Sequence, residues 1–120
     1  MLFRSRDPMG SYLESLERVA QLAPALVLPG HGPPFADGAR RARAIANGKT
    51  RRLDRVRELV EAAPSSVSEL TATLYPGPLG GAQRHFVMAE LLADLAYHEV
   101  REVLQRNRRP DGVFVWSAAG

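Results

Sequence analysis

A chain of 120 residues holds one ordinary domain or two small pieces sharing a core, which leaves little room for a large active-site cleft. With 45% hydrophobic and 24% charged residues it has the balance of a globular chain, not a disordered one, and the lack of cysteine excludes disulfides, thiolate zinc sites and cysteine nucleophiles. The net charge of +3 rests on 16 basic residues, all arginine except Lys49, a surplus too modest to point to nucleic acid by itself.

From Pro8 to about Leu22 the residues Tyr12, Leu13, Leu16, Val19, Ala20 and Leu22 recur at helical spacing, opposite Glu14, Glu17 and Arg18, and predict an amphipathic helix that Pro24 stops. The apolar run Ala25 to Leu28, closed by Pro-Gly, reads as a buried strand. Nothing else in this part resembles a strand, so the piece reads as a fragment of a larger sheet. The loop Pro29 to Asp37, PGHGPPFAD, is locked by three prolines and holds His31 in a fixed place. A long arginine-rich helix follows from Gly38 to Ala63, with Ala42, Ile45, Ala46, Leu53, Val56, Leu59, Val60 and Ala63 as its apolar stripe and Gly48 as a weak point.

Pro64 ends that helix, and Ser66 with Glu69 has capping-box spacing, so a second helix starts at Val67 with Val67, Leu70 and Leu74 on one face. The segment Tyr75 to Gly81, rich in proline and glycine, terminates it. A third helix is predicted from about Ala82 to His98, with Phe86, Ala89, Leu92, Ala93 and Ala96 as one stripe and Val87, Leu91 and Leu95 beside it. Two β-prone runs, Val100 to Gln105 and Val113 to Trp116, flank a turn containing Asn107, Pro110 and Asp111-Gly112, and predict a hairpin. Three helices followed by a hairpin is the order of a winged helix.

The stretch ALVLPGHGPPF resembles the late histidine motif of metallo-β-lactamase-fold hydrolases, in which a strand ends in a PGHG loop whose histidine binds a catalytic metal. DPMGSYLESLERV resembles the helix before that strand, and RRLDRVRELV, VSELTATLYP and RHFVMAELLADLAYH resemble the winged-helix extension at the C-terminus of one branch of the family. The resemblance implies a mainly α chain with a small β component: a truncated α/β fragment over 1–38, a connecting helix over 39–63, and a winged-helix-like domain over 64–120. It also implies that His31 is one metal ligand of a site completed by residues outside this sequence, with zinc or another divalent ion as the cofactor of full-length relatives. The family's HxHxDH motif is absent, only His31, His85 and His98 are present, and a catalytic zinc takes three protein ligands, so this chain alone is expected to bind no metal and to lack hydrolytic activity. Asp7 opens the first helix and is not the bridging carboxylate. The family usually has a glycine between the third helix and the hairpin, where this chain reads HEVREVLQ.

The helix arginines from Arg40 to Arg57 are interleaved with Asp54, Glu58 and Glu61 at pairing distances, and read as a solvated, salt-bridged face. Glu90, Asp94 and Glu99 on the third helix argue against duplex DNA, and Arg106, Arg108 and Arg109 at the hairpin tip are the better nucleic-acid candidates. His85 and His98 are expected in surface or capping roles, and Trp116, Phe114 and Tyr97 in core or edge packing. The expected partners are a catalytic domain or a second copy, recruited by an apolar patch around Leu26 and Leu28, rather than nucleic acid or membrane. No apolar run approaches the roughly 20 residues that span a bilayer and the first residues carry no signal-type hydrophobic region, so a cytoplasmic location is expected.

Overall fold

The structure, a computed structural model, describes residues 6–22, 26–27 and 35–120. In chain order its elements are α1 (Pro8–Leu22), β1 (Leu26–Val27), β2 (Phe35–Ala36), α2 (Gly38–Ala62), α3 (Val67–Leu74), α4 (Gly81–Val100), β3 (Leu104–Arg108) and β4 (Phe114–Ala118). The chain is mainly helical with a small β component, as the sequence predicts. It divides into two compact units, one of residues 10–52 and one of residues 53–120 together with the residues up to Met9.

In the unit of residues 10–52, β1 acquires a partner that the sequence did not reveal. β2 pairs with it antiparallel, Leu26 opposite Ala36 and Val27 opposite Phe35. A strand of two residues is too short to show alternation, so nothing in the local pattern sets it apart from the rest of the proline-rich loop. The intervening residues, His31 and Leu28 among them, lie outside the described ones. Asp37 starts α2: its Oδ1 accepts from the Arg40 amide at 3.1 Å, and its φ of 61° is a left-handed conformation that aspartate tolerates. The helix then runs unbroken through Gly48.

The core of the second unit is assembled from one stripe of each element. Val56 and Val60 on α2, Val67 and Leu70 on α3, Val87, Leu91 and Leu95 on α4, and Leu104 and Trp116 on the hairpin form one buried cluster. On α4, of the two apolar rows expected side by side, the one through Val87 is buried, whereas in the other Phe86 is 64% exposed and Leu92 46%. The buried row continues through Asp94 and His98, both almost fully covered. His98 is thus a core histidine and not a surface or capping one, its Nε2 donating to the Leu53 carbonyl at 2.8 Å. The hydrogen bond ties α4 to α2 and makes the ring's burial tolerable.

The ends of α3 and α4 are fixed by identifiable groups. Ser66 Oγ accepts from the Glu69 amide at 3.1 Å while Glu69 Oε1 accepts from the Ser66 amide at 2.8 Å, the reciprocal box that the spacing predicts. α4 continues to Val100, two residues past the expected end, and closes with the Val103 amide donating to the His98 carbonyl and the Glu102 amide to the Glu99 carbonyl, both at 2.9 Å. This is a Schellman motif, and its left-handed position is Glu102, at φ 59°. The turn thus forms without a glycine at its left-handed position.

The first hairpin strand consequently starts at Leu104 instead of Val100. β3 and β4 pair antiparallel, with Leu104 opposite Ala118, Arg106 opposite Trp116 and Arg108 opposite Phe114. The turn between them uses Gly112 at φ 89° and Asp111, whose Oδ1 accepts from the Val113 amide at 3.0 Å. Trp116 also exchanges two 2.9 Å backbone hydrogen bonds with Ser65, just before α3, so β4 is paired on both edges.

Candidate functional site

His31, the expected ligand, lies outside the described residues. Among the described residues no three histidine, aspartate or glutamate side chains converge on a point where an ion could sit. Asp7 is engaged elsewhere, its Oδ2 accepting from Arg101 Nη1 at 2.7 Å, and the same guanidinium lies 3.5 Å from the centre of the Tyr97 ring. His98 is bound to Leu53, and His85 is exposed on the first turns of α4. The described donors do not fit a zinc ion.

The three hairpin arginines are not a cluster at the tip. Arg106 and Arg108 belong to β3, opposite Trp116 and Phe114 on one face of the hairpin. Because Trp116 directs its amide and carbonyl at Ser65, these are the non-hydrogen-bonded pairs of the ladder, in which facing side chains come closest. Both guanidinium groups accordingly lie over the Phe114 ring, at 4.8 Å for Arg106 and 4.7 Å for Arg108. Only Arg109 sits at the turn, and there its charge is matched by Asp111 at 3.3 Å and Glu69 at 3.6 Å.

Both acids are held below their ordinary carboxyl range. For Glu69 the main cause is the Ser66 backbone amide it accepts from, then the Ser66 hydroxyl and Arg109. For Asp111 it is the Val113 amide, opposed by slight burial and supported by Arg109. Of the acids expected to repel phosphate from α4, Asp94 is buried and Glu99 turns inward, its Oε1 accepting from Trp116 Nε1 at 2.7 Å. Asp94 is thus withdrawn from the surface, while Glu99 is engaged by Trp116 and stays partly exposed.

Two depressions flank the hairpin. One, of about 290 Å³, is polar and is lined by Arg6, Ala96, Glu99, Val100 and Arg106. The other, of about 260 Å³, runs between the start of α3, α4 and β4, and its lining is mostly apolar: Val67, Met88, Leu92, Val113, Phe114 and Trp116, together with Ser66 and Ser68. Sequence reasoning missed this groove. The signal was the second apolar row on α4, one more than a helix with a single buried face needs.

Residues 53–119 match the family model described as the metallo-beta-lactamase-like, C-terminal domain. This chain belongs to the metallo-β-lactamase-like family. Among solved structures it is similar to a beta-lactamase domain protein from Burkholderia ambifaria, with 32% identity and a TM-score of 0.88 over 94% of this chain and 34% of that one. It is also similar to a metallo-beta-lactamase family protein from Thermus thermophilus, with 28% identity and a TM-score of 0.79 over 97% of this chain and 35% of that one. The chain thus spans about a third of the length of these family members. No curated protein matches it. Among the described residues no helix is long and apolar enough to cross a membrane.

Proposed function

We propose that this chain is the C-terminal segment of a metal-dependent hydrolase of the metallo-β-lactamase superfamily, and that residues 64–120 are a winged helix that performs no hydrolysis by itself. Its role is to pack beside a catalytic part or a second copy and to shape access to the substrate. The observation that carries this reading is that the matching model is a C-terminal domain and that the chain aligns with only a third of each solved relative. His31 then supplies one zinc ligand, the remaining donors coming from the part of the protein that holds the HxHxDH motif.

The test has two arms. DNA on the 5′ side of the first codon is expected to encode HxHxDH in the same reading frame. The purified chain is expected to carry no stoichiometric zinc by mass spectrometry and to leave thioester, lactam and phosphodiester substrates intact. Stoichiometric zinc together with unaided turnover would falsify the proposal.

The alternative, an autonomous binding module, divides into two. Nucleic-acid binding through Arg106, Arg108 and Arg109 has the weaker support, because Arg109 is neutralised by its two carboxylates. Protein binding is favoured by the apolar groove beside α4.

A further inference from the structure

We infer that the groove between α4 and the hairpin is a docking site for a protein segment whose apolar side chains are flanked by carboxylates. The inference goes beyond the hydrolase reading and does not depend on it.

Single exposed hydrophobic residues are ordinary, but here they adjoin one another. Leu92, Val113 and Phe114, each more than a third exposed, form walls of one groove floored by Val67 and Trp116. A contiguous apolar surface of this kind marks an interaction site. The polar groups around it are already bonded: Ser66 Oγ accepts from the Glu69 amide, Ser68 Oγ from Arg84 Nη2, and Trp116 Nε1 donates to Glu99. Of these groups only the Ser68 hydroxyl is exposed, and it keeps its own proton, so the groove offers mainly carbon surface.

The charges at its sides specify the occupant further. Arg84 bonds only to the neutral Ser68 hydroxyl at 3.2 Å, and Arg108 lies on the Phe114 ring; neither has a carboxylate partner among the described residues. Arg109, a few ångströms from Glu69, has two. Two unmatched cations touching groove-lining residues call for anionic groups beside the apolar ones, as on the faces of an acidic amphipathic helix.

Trp116, the only tryptophan, lines the groove and reports occupancy by its fluorescence. The probe is a synthetic helical peptide with leucines on one face and glutamates beside them, compared with the same peptide carrying lysines and with a single-stranded oligothymidylate. The glutamate peptide is expected to saturate the Trp116 signal, and Leu92→Asp to weaken it about 30-fold or more. Arg108→Glu is expected to weaken the glutamate peptide about tenfold and to strengthen the lysine peptide. Both positions are exposed, and unchanged circular dichroism verifies that the variants fold. Failure of both peptides to bind, equal binding of the two, indifference to Leu92→Asp, or displacement by the oligonucleotide would each overturn the inference.

Discussion

Glu102 offers the sharpest test of how this chain ends its last helix. It occupies the left-handed position of the Schellman motif at φ 59°, is exposed, and supports two 2.9 Å backbone hydrogen bonds through its conformation alone. An L side chain in that region costs about 1–2 kcal/mol, whereas glycine adopts it freely but gives up about 0.5–1 kcal/mol more entropy on folding. Glu102→Gly should therefore stabilise the fold by about 0.5–1 kcal/mol, or about 2–6 °C in Tm. Glu102→Val, with a β-branched side chain in the same conformation, should destabilise it by about 1 kcal/mol or more. Urea titration followed by far-ultraviolet circular dichroism measures both. A glycine variant no more stable than the parent, together with a harmless valine, would show that the helix does not end in this way.

Further substitutions, and pH, probe other contacts of the fold. Gly48→Ala in the interior of α2 meets nothing nearer than Arg51 Nη2 at 3.9 Å, so a gain of about 0.5–1 kcal/mol in the urea-derived stability is expected. Ser66→Ala removes one half of the capping box and should cost about 1 kcal/mol by the same assay. Trp116→Phe deletes the donor to Glu99 and should cost about 1–3 kcal/mol, read from thermal melts, with Glu99→Gln costing less because an acceptor is kept. Finally, Glu69 and Asp111 have folded-state pKa values below their ordinary 4.5 and 3.8, so their contribution is complete above those values and is lost as pH falls through the folded-state ones. The stability gap between the parent and Glu69→Gln should accordingly be widest at neutral pH and shrink below pH 4.5; a gap that grows on acidification contradicts the assignment.

What could be read in advance was whatever local chemistry decides. The span of α1, the start of α3 at Val67 and the Ser66–Glu69 box follow from spacing and side-chain type, and the structure keeps them. Spacing alone did not single out which of the two α4 rows is buried, because the buried one includes Asp94 and His98, whose polarity masks a stripe that tertiary hydrogen bonding makes acceptable. The hairpin slipped for a similar reason. Val100 and Val103 have the better strand propensity, yet the strand that forms reads Leu-Gln-Arg-Asn-Arg, since pairing with Phe114 to Ala118 sets its register. At the candidate site, the positions of Arg106 and Arg108 over Phe114 depend on that register, and the groove arises only when three elements separated in sequence come together.

The two backbone hydrogen bonds between Ser65 and Trp116 do more than lengthen a small sheet. They stitch together the ends of a loop that contains α3, α4 and β3, so the ordering entropy of that whole stretch is met once and serves every contact inside it. An isolated hairpin would fray on its own; here β4 is also held at Trp116 by the residue before α3. Loosening at that seam would appear as lost cooperativity across the unit, with amide exchange quickening in the helices and the hairpin alike.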